Sequence, residues 1–492
     1  MATSAELKQN ILNGGYDQAF AKLYGADTAT VAAQRVRYVD MIDHFEENFG
    51  NHSNDIQVYG SCNHHAVVMV GMVAADLGAA GCRVQTHCAA RAKVFFKMVD
   101  HIHITDTLGR TVCLYSAPGR TEIGGNHTDH NNGVVIAAAV NLDIIAVVAK
   151  NNENVVRVIS HGFGKIDDVN LRDLTPQPVE AEHSASLIRG VAAGIVKDGG
   201  KVGGFDCYTT SDVLGGSGLS SSAAFEVCMG AIFRGEYNDN DMKRFDQVKN
   251  AMISQYAENV FFGKPCGLMD QTACAVGKVI TIDFKEVGHP VVREVPFDLA
   301  AKGFALCISD TKGSHADLTD DYAAVRREME SVAEFFGKKV LRDVDEETFL
   351  KAIPEVRKVT GDRAVVRAIH FYNDSRRAGE IYEAIKADDF DRFLQLIIEG
   401  GHSSFEFNQN AYSIKNPQEQ GVPLALAISQ KVLNGRGAWR LQGGGFAGTI
   451  QAFVPLALLE TYKNAIDAVF GAGSCHVLSV RNYGAVMVTP DM

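Results

Sequence analysis

From Val134 to Lys150 the chain is almost unbroken hydrocarbon, V-V-I-A-A-A-V-N-L-D-I-I-A-V-V-A-K. Valine and isoleucine pack best on a pleated surface, and a run this apolar has to be covered on both faces. It reads as a buried apolar strand pair. The residues just before it are of the opposite kind. Ser116 to Gly133 reads S-A-P-G-R-T-E-I-G-G-N-H-T-D-H-N-N-G. This stretch holds a cation (Arg120), two imidazoles (His127, His130), an acid (Asp129) and the amides Asn126, Asn131 and Asn132. Polar groups packed against a core strand are costly unless something uses them. Glycine between them lets backbone approach a ligand closely.

At 492 residues the chain is longer than one usual domain, so two lobes plus an extension are expected. Its 46% hydrophobic and 22% charged residues are those of a soluble globular protein. A net charge of −12 argues against nucleic acid or an anionic membrane as partner. An anionic ligand would therefore need local cations, backbone amides or a metal. The start, M-A-T-S-A-E-L-K-Q-N, has neither the basic nor the apolar region of a signal peptide. No run approaches the ~18 apolar residues of a membrane span. Ten cysteines without a framework of short spacings read as reduced thiols, and a cytoplasmic location is expected.

Val31 to Phe49 carries Val36, Val39, Ile42 and Phe45 at helical spacing. Residues 51–110 hold His52, Cys62, His64, His65, Cys82, His87, Cys88, His101 and His103. Their spacings, C-x-H-H and H-C, do not match a zinc pattern, so this segment reads as an insertion dispensable for chemistry. Glu182 to Lys197 reads as a helix ended by Gly199–Gly200.

Ser211 to Val227, S-D-V-L-G-G-S-G-L-S-S-S-A-A-F-E-V, is a glycine loop running into a helical pattern. Free N–H groups and the positive end of a helix dipole favour phosphate there. Phe245 to Gln271 contains a helix with Val248, Ile253, Tyr256, Ala257 and Val260 on its apolar face. Glu258 sits near its end, where an acid opposes the dipole and implies a nearby cation. Asp270 follows in the string G-K-P-C-G-L-M-D-Q. Val279 to Phe284 alternates like a strand that Val291 to Val295 can pair with, and Phe304 to Ser309 is another core strand. A helix capped by Thr319 or Asp320 carries Tyr322, Val325, Met329 and Val332 on its apolar side. Residues 346–400 read as largely helical. Leu441 to Gly448, L-Q-G-G-G-F-A-G, is a glycine turn before the strand Thr449 to Val454.

Four of these stretches, in this order, resemble the galactokinases of the GHMP kinase family. Ser116–Gly133 resembles their sugar-binding signature, G-R-x-N-x-I-G-E-H-T-D-Y-N. Glu122, Gly124, Asn126 and His130 stand where the family has Asn, Ile, Glu and Tyr. G-S-G-L-S-S-S-A-A resembles the GHMP phosphate-binding loop, with Leu214 where proline is common. The resemblance covers roughly Thr111 onward. It implies an α+β, two-lobed fold with an active-site cleft between an N-terminal α/β lobe (111–295) and a C-terminal α+β lobe (296–492). A helical extension (1–50) and the insertion (51–110) precede them.

The implied activity is transfer of the ATP γ-phosphoryl group to the anomeric hydroxyl of galactose. Asp270 would orient that hydroxyl and accept its proton, with Arg120 beside it. Asn126, His127, Asp129, Gly267 and Tyr322 would read the sugar. Gly216, Ser217, Gly218, Leu219, Ser220, Ser221, Ser222 and Gly444 would cradle ATP. Ser221 and Glu258 would hold Mg²⁺. Asn126, in place of a glutamate that faces the sugar's C6 hydroxyl, implies a pocket more tolerant at C6. Sugar and ATP are the expected partners, and a monomer is the expected state. Two other readings stay open: a sugar-1-kinase for galacturonate or N-acetylgalactosamine, and a catalytically silent galactose sensor.

Overall fold

The structure, a computed structural model, describes residues 2–50, 104–105, 110–213, 218–264, 266–286, 288–313 and 318–492. The cysteines and histidines of the expected insertion lie outside these residues, as do Gly216 and Ser217 of the glycine loop. Among the described residues no helix is long and apolar enough to cross a membrane.

Three helices open the chain: α1 (Ser4–Leu12), α2 (Asp17–Tyr24) and α3 (Thr28–Phe49). They bury Leu7, Ile11, Phe20, Met41, Ile42 and Phe45 against Leu114, Ile145 and Val147 of the sheet that follows. The buried side of α3 is rotated from the expected one: Tyr38 and Met41 are inside and Val36 is 55% exposed.

That sheet is built on two long strands, β1 (Val112–Gly124) and β2 (Val134–Lys150). β2 is one strand of 17 residues, not a pair. Asn141 and Asp143, which interrupt the apolar run, are absorbed without a turn. A bulge takes them up, because Pro118 pairs with Asp143 while Arg120 pairs with Ala139. The Asn141 side chain accepts from the Ser479 N–H at 2.9 Å. The fully buried Asp143 accepts from Arg481 at 2.7 Å, Arg37 at 2.9 Å and Tyr24 Oη at 2.6 Å. Burial pushes the Asp143 carboxyl up, but the two guanidinium groups outweigh it and hold the carboxyl below its usual range.

Next come β3 (Val155–Ser160), α4 (Ser184–Lys197), β4 (Phe205–Ser211), α5 (Ser221–Tyr237), α6 (Gln247–Tyr256), α7 (Met269–Val276), β5 (Val279–Asp283) and β6 (Val291–Val295). β4 pairs with the second half of β2 and β5 with its first half. β6 pairs with β5 as expected, and β3 runs parallel to β4. α4 to α7 bury Ile188, Val191, Val227, Ile253 and Ala273 in the core with this sheet.

The second half begins with β7 (Phe304–Asp310), then the helices α8 (Thr319–Phe335), α9 (Glu346–Thr360), α10 (Asp362–Lys386), α11 (Phe390–Ser403) and α12 (Gly421–Leu433). α8 starts at Thr319 with Leu318 at its cap position and no side-chain cap bond, so neither Thr319 nor Asp320 plays the expected capping part. β8 (Ala438–Leu441), β9 (Thr449–Pro455), α13 (Leu459–Phe470) and β10 (Cys475–Leu478) follow. The second sheet has the order β8-β9-β7-β10, all antiparallel. The chain then crosses back. β11 (Val486–Val488) pairs with β1, so residues 296–492 contribute to both sheets rather than to one lobe. Leu306, Ile308, Phe453 and Leu478 of the second half share one core cluster with Ile136 and Val140 of the first.

Candidate active site

The start of α5 and the first turn of α7 meet at β1. Arg120, on β1, donates from Nε to Asp270 Oδ1 at 2.7 Å and from Nη2 to Asp270 Oδ2 at 2.6 Å. Its third nitrogen donates to the Gly218 carbonyl, and its backbone N–H donates to Leu219 O at 3.0 Å. Ser220 donates its hydroxyl to Asp270 Oδ2 and holds a left-handed backbone, φ 57°, just before α5. That region is sparsely populated for non-glycine residues and is found at functional turns. Asp270 lies in the first turn of α7, where the helix dipole favours an anion. Burial raises the Asp270 carboxyl, but Arg120 and Ser220 together hold it below its ordinary range. The side chain remains 33% exposed. The arrangement is an ionised carboxylate, fixed in direction, at the end of an anion-binding loop.

A second carboxylate stands behind that loop. Glu258 lies on a π-helical turn, Ala257–Phe262, that continues α6, and it is buried. Its Oε1 accepts from Lys264 Nζ at 2.8 Å, the cation that an acid at a helix end calls for. Its Oε2 accepts from Gln271 Nε2 at 2.7 Å. Ser222, rather than Ser221, reaches it, with Oγ 3.5 Å from Oε1. Ser221 is the first residue of α5. Gln271 also lies 3.3 Å from the buried Glu226.

On the other side of Asp270 the polar turn of the opening stretch closes a ring of contacts. Gly267 sits so close to Asp129 that a Cβ there would fall 2.0 Å from Asp129 Oδ2. His127 and His130 are 5.9 Å apart, centroid to centroid. His127 Nε2 donates to the Gly444 carbonyl at 2.9 Å, which leaves Nδ1 as the acceptor of a neutral ring. Burial lowers the His127 imidazole to about 4. A Cβ at Gly444 would meet the Tyr322 ring at 2.6 Å, so only glycine allows that approach. Tyr322 Oη donates to Gly445 O at 2.9 Å. His127 and Tyr322 thus meet at Gly444 and Gly445, and Asp129 meets Gly267, three residues before Asp270.

Gly444 turns its carbonyl to His127 and Asn410, and Gln442 of the same glycine turn donates from Nε2 to Gly218 O at 3.2 Å. One expectation changes. Asn126 does not face the cleft. It is 0% exposed, and its amide is used up by Glu122, Gly443 and Asn410. A wholly enclosed side chain cannot read the sugar's C6 hydroxyl. Glu122 is paired with Arg440 at 2.8 Å. Burial pushes its carboxyl up to about 7 while the guanidinium pulls the other way.

His370 and Asp374 of α10 were not foreseen, and both grip the Asn126 peptide. Asp374 Oδ2 accepts its N–H at 2.7 Å, and His370 Nε2 donates to its carbonyl at 2.8 Å. Their spacing of four puts both on one face of α10. No local motif marks them. Gln271 could have been noticed, since it adjoins Asp270.

Comparison with known proteins fits this geometry. Residues 105–150 match the galactokinase galactose-binding signature, and residues 186–278 match the GHMP kinase N-terminal domain. A galactokinase of Actinobacillus pleuropneumoniae is 33% identical over 366 residues, covering 72% of this chain and 90% of that one. A galactokinase of Glaesserella parasuis serovar 5 is 31% identical over 354 residues, covering 71% and 87%. The fold is shared with Lactococcus lactis galactokinase, solved in complex with galactose, at a TM-score of 0.64 and 20% identity over 76% of this chain and 95% of that one. The signature turn, the serine loop and the glycine turn converge on one cleft here, and relatives of that name align along nine-tenths of their length: the chain belongs to the galactokinase family.

Proposed function

We propose that this chain transfers the γ-phosphoryl group of ATP to the anomeric hydroxyl of galactose, giving galactose 1-phosphate and ADP. The observation that carries the reading is the bidentate Arg120–Asp270 pair at the end of the serine loop, with Gly267, three residues before Asp270, packed against the Asp129 carboxylate. Phosphoryl transfer passes through a loose transition state, so positioning and charge neutralisation dominate its catalysis. Asp270 directs the hydroxyl and takes its proton at an oxygen already fixed by Arg120. Arg120 keeps Asp270 ionised and presents positive charge to the phosphate. Gly218 to Ser222 and the N-terminus of α5 receive the phosphates. His127 Nδ1, Asp129, the backbone at Gly267 and Tyr322 take up the sugar hydroxyls.

Mg²⁺ fits the donors behind the loop. Glu258 and the Ser221 and Ser222 hydroxyls are hard oxygen ligands, and Mg²⁺ is usually bound by one or two carboxylates together with water and substrate phosphates. Lys264 holds one Glu258 oxygen at 2.8 Å and Gln271 holds the other at 2.7 Å, so an ion bound there would take the place of the Lys264 ammonium. When bound, the ion would neutralise charge on the phosphate oxygens. The test is ADP release over a sugar panel of galactose, galacturonate, N-acetylgalactosamine and glucose. Galactose-dependent release with the highest kcat/KM supports the reading. No release with any sugar, or a higher kcat/KM for another one, refutes it.

A further inference from the structure

Glu122 and Asn126 lie four residues apart in the opening polar stretch. The structure shows that the two side chains touch. Asn126 Nδ2 lies 3.1 Å and 3.3 Å from the two oxygens of Glu122. Arg440, fully buried, holds the nearer oxygen at 2.8 Å and also donates to the Ile123 carbonyl. The amide has no spare capacity. Its two N–H groups serve Glu122 and Gly443 O (2.7 Å), and its oxygen accepts from Asn410 at 2.9 Å. The Asn126 peptide is fixed at both ends by Asp374 and His370. His127 and Asp129 project from the residues directly after it.

We propose that Glu122, Asn126 and Arg440 form one positioning unit, and that this unit holds the His127–Asp129 turn in register with the cleft. The proposal rests on the galactose kinase reading. A carboxylate introduced at position 126 could not donate to Gly443 O. It would also meet the Glu122 carboxylate in a sealed space, which is strongly unfavourable. An asparagine introduced at 122 would leave Arg440 buried without a counter-ion. Made together, the two changes again set one amide beside one acid and remove the carboxylate–carboxylate clash. The new amide can donate to the new acid, while Gly443 O still lacks its donor.

The experiment compares Asn126→Glu, Glu122→Asn, the double variant and the wild type by steady-state kinetics and thermal unfolding. Each single change is expected to lower kcat/KM for galactose by about a hundredfold, with the loss in galactose KM and ATP KM unchanged. The double variant is expected to recover to within about tenfold of wild type. A double variant no better than the worse single one overturns the coupling. Single variants that lose stability yet keep their galactose KM show a merely structural pair and overturn the positioning role. Should neither single variant fold, Glu122→Gln decides: a galactose KM raised about tenfold with unchanged ATP KM supports the proposal, and an unchanged galactose KM refutes it. If the wild type releases no ADP with galactose, the functional reading fails, while recovery of the melting temperature in the double variant still tests the coupling.

Discussion

Asp270→Asn changes one atom of the side chain and almost nothing of its shape. Arg120 loses a charged acceptor at 2.7 and 2.6 Å, and one of its two contacts becomes donor against donor. Charge-assisted bonds are roughly twice as strong as neutral ones. Asp270 is one-third exposed, so water can reach the gap and soften the loss. The stability cost should therefore sit at the lower end of the usual range for a lost partner, about 1–2 kcal/mol. A melting temperature lower by only a few degrees is expected for a chain of this size. Turnover should suffer far more. Loss of a positioned proton acceptor costs about 10²–10⁴ in rate, or about 3–5 kcal/mol of barrier. The assay is ADP release at saturating galactose and ATP, with ATP affinity measured separately by calorimetry. A variant that binds ATP as the wild type does and keeps kcat within about threefold would remove Asp270 from the reaction and refute the mechanism.

Three further outcomes are expected. Glu258→Gln should raise the Mg²⁺ concentration for half-maximal activity by at least about tenfold without moving galactose KM; an unchanged Mg²⁺ titration with a weakened galactose KM would place Glu258 elsewhere. The His127 ring, lowered to about 4 by burial, is neutral in the folded chain through the physiological range. Its contribution to stability is therefore full above the free imidazole value of ~6.5 and is lost as pH falls toward 4. His127→Gln should flatten that acid limb of the unfolding free energy, and an identical pH profile would sink the assignment. Asp143→Asn leaves the fully buried Arg481 without its anion and should destabilise by about 3–5 kcal/mol in denaturant. The kcat of the folded fraction should be unchanged, and a loss below about 1 kcal/mol would show the cluster to be better screened than its burial suggests.

What the sequence made legible is what local chemistry determines. The serine loop entering α5, the Arg120 and Asp270 strings and the glycine turn between β8 and β9 each carry their reason within a few residues. Glu258 announced its need for a cation, and Lys264 supplies it six residues on. What the sequence hid depends on partners far along the chain. β2 reads in the sequence as a strand pair but is one strand, and Arg37, Arg481, Tyr24 and Ser116 together make the Asp143 carboxylate tolerable within it. Asn126 is expected to read the sugar from its place in the opening polar stretch. Its direction is set instead by Arg440, Asn410 and α10, none of which the signature contains. On α3, Ile42 and Phe45 are buried as expected and Val36 is not, while Tyr38 joins the buried side, held by the Tyr24 hydroxyl at 2.9 Å as well as by hydrocarbon packing.

The return of β11 to the first sheet bears on how the protein is made. Val486 to Val488 pair with Leu114 to Ser116, more than 360 residues earlier. Arg481, just before them, supplies the counter-charge inside that sheet. During synthesis the first sheet can form its other strands, but it holds an unpaired edge on β1 and an Asp143 that has Arg37 but still lacks Arg481 until residues 481–488 leave the ribosome. Pairings at such separation are slow to form, and the waiting edge is exposed to other chains. Nascent chains ending before Arg481 should thus depend on chaperones although every catalytic residue has already been made.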